Sequence, residues 1–413
     1  MPKVGKYKSR YNCRLCKSIY MTEVLDMNKV PLAGNFLNKE NIGREKVYPL
    51  TVSVCQDCSF VQVNEVVNKK DLFADYRYIS TIPLGKHFED YAKEIAFKFL
   101  KKGNFIVDIG SNDGVLLKPL KKLGMKVLGV DPAKNIAKVA NDQGLTTIVD
   151  YFNRKVASKI VKKYEQANAV FANNVIAHID NVDEVIKGVN ELLLPDGIFV
   201  IEIYYLSDLI AKGQYDIVYH EHHSYYSLTS LMPYLAKFGF NVFDAQRVSS
   251  HSGSIRVYIQ KNNGIYGNTK RLEGLLSMEK DMNLGALKTY VKFGEDAIRK
   301  SDQLWLLLDN LKKQGKRIVG YGASGRGNML LKFCQIDNKI LDYIVDESPE
   351  RYGRYTPVTH IPIVPPVVFR NDYPDYALLL AWGYKDMIMG KEKEFTKRGG
   401  RFIMPLPKVE VLE

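Results

Sequence analysis

Between residues 105 and 260, short apolar runs alternate with segments of helical spacing, the pattern of strands joined by crossover helices. The runs at 105–110, 126–131, 145–149, 168–172, 198–203, 240–248 and 254–260 read as strands. The first five belong to strand–helix units, while the last two follow one another without a long helix between them. A helix over 87–102 leads into this block, and another over 115–123 follows the first strand at once. Leu272, Leu275, Leu276, Met282, Leu287, Val291, Ile298, Leu304, Leu307 and Leu311 space as one or two amphipathic helices over 269–313, suited to packing across domains. A second strand–turn–helix opens at Arg317, and the strand after it closes on Asp346. Before the central block, VYPLTVSVC alternates as a strand behind the loop PLAGNFL. The chain therefore divides into 1–75, 76–265 and 266–413. The expected fold is α/β: a small N-terminal unit, a doubly wound sheet, and a second Rossmann-like unit.

The turns carry the first chemistry. FIVDIGSNDG runs a strand into Gly110, Ser111, Asn112, Asp113 and Gly114, where glycines let the backbone approach a ligand. Asp131 closes the next strand and stands where a carboxylate accepts hydrogen bonds from a ribose, with Pro132 after it. The turn is not GxGxxG, and Asp108 and Asp113 stand beside it. Ligands bind at the carboxyl ends of such strands. Tyr151 and Phe152 follow the third strand, and Phe152 is expected to flank an adenine. Asn173, Asn174 and Val175 follow the fourth and are expected to line the cofactor pocket. The later turn, with Gly320, Gly322 and Gly325, does satisfy GxGxxG. Read alone it suits a dinucleotide. Free amides at a helix N-terminus hold any phosphate, however, a substrate's included. Gly322, Ser324, Arg326 and Asn328 are therefore candidate substrate ligands.

Composition changes this picture in three places. The 413 residues carry a dispersed net charge of +13, compatible with nucleic acid, with an anionic small substrate or with solubility alone. No apolar run reaches membrane-spanning length and none near the N-terminus forms a signal core, so cytoplasmic residence and no membrane partner are expected. Cys13, Cys16, Cys55 and Cys58 form two CxxC pairs, the arrangement of a structural zinc ion held by four thiolates with no open position for chemistry. Cys334 lies in an apolar helix and reads as core. Three of the seven histidines, His220, His222 and His223, crowd one loop after the fifth strand, above the cofactor edge. The spacing excludes HExxH, because Ser224 stands four after His220. A general base tunable near neutral pH is the better reading. Tyr76 and Tyr78 share a face of the junction if it is extended, which on general grounds means packing.

Taken together, DIGSNDG resembles motif I of class I S-adenosylmethionine (SAM) methyltransferases. The whole chain is similar to the SAM-dependent C-methyltransferases of nucleotide-linked 4-keto-6-deoxy sugars. The motifs are the CxxC…CxxC start, DIGSNDG, GVDP, ANNVIAHI, YHEHHSYYS, GYGASGRGN and IVDESPERYGRYTPVTHIPI. The resemblance implies SAM as cofactor, one structural zinc, and proton removal at C-3 before methylation. It places the active site on Tyr219, Glu221 and His222, the junction tyrosine on Tyr78 with Tyr76 near it, and His178, His220 and Tyr225 beside the substrate. The family commonly has Lys where this chain has Arg326, and the two are not interchangeable phosphate ligands. No nucleic acid is expected under this reading, and the assembly is expected to be a monomer or small homo-oligomer. Two alternatives stay open: a zinc-ribbon methyltransferase of nucleic acid, and an NAD-binding sugar-nucleotide oxidoreductase or epimerase using GYGASG.

Overall fold

The structure, a computed structural model, describes residues 3–68, 72 and 81–412. Tyr76 and Tyr78 lie outside the described residues. The central sheet has seven strands in the order Phe240–Val248, Ser254–Lys261, Leu193–Tyr204, Ala167–Asn173, Phe105–Ile109, Lys126–Val130, Thr147–Ile148. All the described pairings are parallel except those of Ser254–Lys261, which runs antiparallel to both neighbours. Phe105–Ile109 is buried along its whole length because helices cover both faces, which is why the sequence shows a continuous apolar run there and no alternation. Strand order reverses beside this strand, which creates the crevice used by ligands in open α/β sheets.

The C-terminal sheet repeats the plan: Ile363–Val364, Ile344–Val345, Ile318–Tyr321, Tyr376–Leu379, Arg401–Met404, then Glu410–Leu412 antiparallel at the edge. The expected helical stretch before it is two helices, Lys270–Asp281 and Leu287–Lys313. Thr269 caps the first by accepting from the Leu272 amide.

The N-terminal unit departs further from the sequence pattern. Lys46–Cys55 is the expected strand, but it pairs with an unforeseen one, Met21–Pro31. Two register shifts break the alternation of Met21–Pro31, so its period-2 signal is absent from the sequence. On its other side Lys46–Cys55 pairs with Val61–Val63, and Val61–Val63 pairs with Ser224–Tyr225. The histidine loop thus supplies the last strand of the N-terminal sheet.

The cores do not follow the divisions of the chain. One cluster joins Leu25, Val52 and Val61 to Leu206, Tyr225, Leu304 and the C-terminal strands; another joins Cys13, Cys55 and Phe60 to the central sheet through Ile176 and Tyr226. Asn328 donates to the Ala33 carbonyl at 2.7 Å, and His360 bonds Glu45 at 2.6 Å, tying the two terminal units together.

Candidate active site

The cysteine pairs meet as the sequence predicts. All four sulfurs lie within 4.8 Å of one another, with Cys13 and Cys58 3.6 Å apart and Cys16 and Cys55 3.4 Å apart. Tetrahedral zinc with sulfurs at about 2.3 Å would set them about 3.8 Å from each other. The donor set therefore fits one closed zinc site.

Around the first glycine turn, Asp131 acts as the brace. Its Oδ2 accepts from the Asn112 amide and its Oδ1 from the Ala133 amide, both at 2.9 Å. Burial raises its pKa and these two amides oppose the shift. Gly110 has φ +68°, and a Cβ there would lie 2.2 Å from Cγ2 of Val175. Strand end and turn are therefore in contact across the crevice. Asp108 Oδ1, Ser111 Oγ, Asp113 Oδ1, both side-chain polar atoms of Asn173 and Oδ1 of Asn174 are buried there without a hydrogen-bond partner among the described residues. Burial, and then the Asp131 charge, hold the Asp108 carboxyl well above the usual carboxylate range. Orphaned buried groups cost about 1–3 kcal/mol each, so a concentration of them marks a place built for a polar ligand. An amino acid moiety with its ammonium, together with a ribose, satisfies this donor and acceptor set, and the residues present fit SAM. Pro132 and Gly114 flank the same turn.

Two aromatic expectations separate here. Phe152 is buried in the core among Val156 and Val185, with its ring against Gly188. Packing between the helices claims it, whereas its neighbour Tyr151 is exposed.

The loops after the fourth and fifth strands converge. His178 Nδ1 bonds the Glu221 carbonyl at 2.7 Å, and its ring lies 5.1 Å from that of His222. The His222 ring also meets Tyr204 at 4.8 Å and Tyr219 at 3.9 Å. His222 Nδ1 lies 2.8 Å from the Ile217 carbonyl, which can only accept, so the ring proton sits on Nδ1 and the lone pair of the neutral ring on Nε2. Nε2 is then the ring atom that can accept a proton. Desolvation alone lifts the Glu221 carboxyl to about 7, and it raises the Tyr219 hydroxyl as well. Burial lowers the basicity of His178.

The other loop residues face elsewhere. His220 Nε2 donates to the Pro49 carbonyl at 2.9 Å and its ring stands edge-on to Tyr48, against the N-terminal sheet. Tyr225 is a core residue of that sheet. At the second glycine turn, Arg326 makes a bidentate pair with buried Asp216, at 2.9 and 3.0 Å, and lies over the Trp382 ring. Asn328 is spent on Ala33, and Ser324 caps its own helix through the Gly327 amide at 3.0 Å. A Cβ at Gly322 would meet Ala381 at 2.4 Å, and one at Gly325 would meet Ala33 at 3.3 Å. Of the expected phosphate ligands, Arg326 and Asn328 are thus engaged in joining units, and Ser324 is engaged in its own helix cap. The Asp346 carboxylate repeats the Asp131 brace on the Ala323 amide, at 2.8 Å.

Sequence reasoning missed Glu202, which lies fully buried near the end of the fifth strand. It holds Arg256 at 2.9 Å, His87 at 2.8 Å and Ser250 at 3.0 Å. No motif marks these residues, whose partners lie far apart in the chain. Among the described residues, no helix is long and apolar enough to cross a membrane.

Residues 13–73 match the family described as "Putative zinc binding domain", 84–245 a methyltransferase domain, and 249–407 a C-methyltransferase C-terminal domain. The C-methyltransferase NovU of Streptomyces niveus is 34% identical over 405 residues, which covers 97% of this chain and 96% of that protein. A ubiquinone biosynthesis O-methyltransferase of Bartonella bacilliformis is 33% identical over 100 residues, 23% of this chain and 39% of its own. The PH0226 protein of Pyrococcus horikoshii aligns in structure with 47% of this chain and 100% of its own, at 17% identity and a TM-score of 0.37.

Proposed function

The chain belongs to the SAM-dependent C-methyltransferases, and from that premise we propose that it methylates C-3 of a nucleotide-linked 4-keto-6-deoxy sugar by way of an enolate. The observation that carries the reading is the cluster of the His222 ring with His178, Tyr204 and Tyr219, in which the Ile217 carbonyl holds the His222 proton on Nδ1 and leaves Nε2 to act as base. A hydroxyl or amine nucleophile already has a lone pair. A carbon beside a ketone has none until a proton leaves, so carbon methylation needs such a base.

In this reading His222 Nε2 takes the C-3 proton. The C–H electron pair enters the enolate, whose negative oxygen is stabilised by the Tyr219 hydroxyl, raised in pKa and therefore retained as a donor. The Ile217 carbonyl orients the base, and Glu221, Tyr78, Tyr76 and His178 are proposed to frame the sugar. Bound SAM supplies the methyl group to the carbanion. Asp108, Asp113, Asn173 and Asn174 hold the amino acid end of the cofactor, and Asp131 holds both the turn and the ribose. Arg326 and Asn328 contribute to the nucleotide side by fixing the domain junction rather than as free phosphate ligands, since their side chains already have partners, while Ser324 caps the turn's own helix and Gly322 keeps the turn close to Ala381. Branched deoxysugar biosynthesis is the matching role.

The test is hydrogen exchange in deuterated water. With a 4-keto nucleotide sugar, the enzyme should exchange the C-3 hydrogen even without SAM. His222→Ala should lose exchange and methylation by about a hundredfold to ten-thousandfold, while SAM affinity stays within twofold. A product methylated on oxygen would end the reading.

A further inference from the structure

The two loops that carry the candidate reacting groups are joined by a side chain that belongs to neither. Arg14 stands in the first knuckle, between Cys13 and Cys16, and its side chain is 0% exposed. Its Nε donates to Asp180 Oδ1 at 3.0 Å, two residues beyond His178 in the loop after the fourth strand. Its Nη1 donates to the carbonyl of His223, the neighbour of His222, at 3.2 Å, and to the Val63 carbonyl at 2.6 Å. The Val63 amide donates to that same His223 carbonyl at 3.0 Å. The Arg14 amide bonds Gln62 Oε1 at 2.9 Å, and Gln62 is the residue paired with Ser224 across the sheet. Arg10 closes on Asp180 from outside at 3.1 Å.

We infer that Arg14 is a positioning residue that fixes the distance between the two halves of the active site. A guanidinium is a planar fork, so three acceptors, on two loops and on the strand Val61–Val63, are held at set angles to one another. Having left water entirely, the charge is stabilised only while those acceptors stay in place. The loops therefore cannot separate one at a time. Cys13 and Cys16 fix the backbone on both sides of Arg14, so the rigidity of a zinc knuckle reaches His178 and His222 through one side chain. The metal site then holds the catalytic geometry as well as the N-terminal fold.

The inference rests on the proposed reading of the His178 and His222 loops as reactive, but its first readout needs no substrate. Arg14→Lys keeps the charge and removes the fork; Asp180→Asn, at a partly exposed partner, leaves the buried guanidinium its two carbonyls. Full-length variants are compared by zinc content, SAM titration, amide hydrogen exchange of 173–181 and 217–226, and kcat against KM on the methyl acceptor that wild type uses. Both should keep one zinc per chain and SAM affinity within twofold. Exchange in both segments should quicken at least fivefold, and kcat should fall at least tenfold with KM changing less. Wild type stripped by a chelator should show the same quickened exchange while SAM still binds. Unchanged exchange and kcat in Arg14→Lys overturns the inference. Should that variant fail to fold or lose zinc, wild-type exchange and kcat in Asp180→Asn overturns it instead. Loosened loops in an enzyme that fails the deuterium test would sink the carbon-acid reading and leave the clamp standing.

Discussion

Gly110→Ala probes the cofactor turn with one methyl group. The position has φ +68°, where an L side chain costs about 1–2 kcal/mol. The new methyl would also lie 2.2 Å from Val175 Cγ2 and 3.2 Å from its Cγ1 and Cβ. Overpacking of this kind costs about 1–3 kcal/mol. The sum is about 2–5 kcal/mol, divided between two observables. Strain kept in the turn lowers the melting temperature. Strain relieved by shifting Val175 moves Asn173 and Asn174 and appears as weaker SAM binding. Each 1.4 kcal/mol that reaches binding is tenfold in Kd. The companion Gly110→Ala/Val175→Ala removes both γ carbons and leaves only the 3.2 Å contact. It should recover the overpacking part and keep the conformational part, a residual of about 1–2 kcal/mol. Calorimetric titration with SAM and thermal unfolding of the three proteins measure both terms. A single variant that binds SAM within twofold and melts within a degree of wild type refutes the cradle. A double variant no better than the single one removes Val175 as its wall.

Cys55→Ser should lose the zinc while Cys334→Ser keeps one ion per chain by elemental analysis, since Cys334 is buried beside Tyr215, outside the sulfur cluster. Arg326→Met leaves the fully buried Asp216 with Trp382 as its remaining side-chain partner among the described residues, and should cost about 3–5 kcal/mol by denaturant unfolding; a loss under 1 kcal/mol would mean that the pair does not hold the domains. Burial lowers His220 to about 4 and His223 to about 3, so in each case the unfolded chain binds a proton that the folded one refuses below pH 6.5. Stability should therefore fall as pH drops from about 6.5 toward 4, each histidine contributing up to about 1.4 kcal/mol per pH unit. His220→Gln should flatten that slope in thermal unfolding between pH 7.5 and 5, and an unchanged slope would mean that the ring takes up its proton at the same pH in the folded and the unfolded chain.

What the chain declares by itself is whatever local chemistry suffices to specify. Strands buried on both faces must be apolar throughout, so most of the central sheet, from Phe105–Ile109 to Ser254–Lys261, was legible with boundaries off by a few residues. Two CxxC turns dictate a thiolate site, and a strand running into DIGSNDG dictates a cradle, because each is made by residues close in sequence. Partnership across the chain was not legible. Arg326 looks like a phosphate ligand until Asp216, 110 residues away, is found to occupy it. Phe152 looks like an adenine flank until Gly188 opens a place for it in the core. The histidine loop looks like a loop, yet pairing of Ser224 with Gln62 makes it a strand of the zinc-bearing unit, and Arg14 bonds the carbonyl beside His222. A side chain's type sets which bonds it can make. Which partner it makes them with is decided only when folding brings distant segments within 3 Å, where burial makes an unmet bond costly.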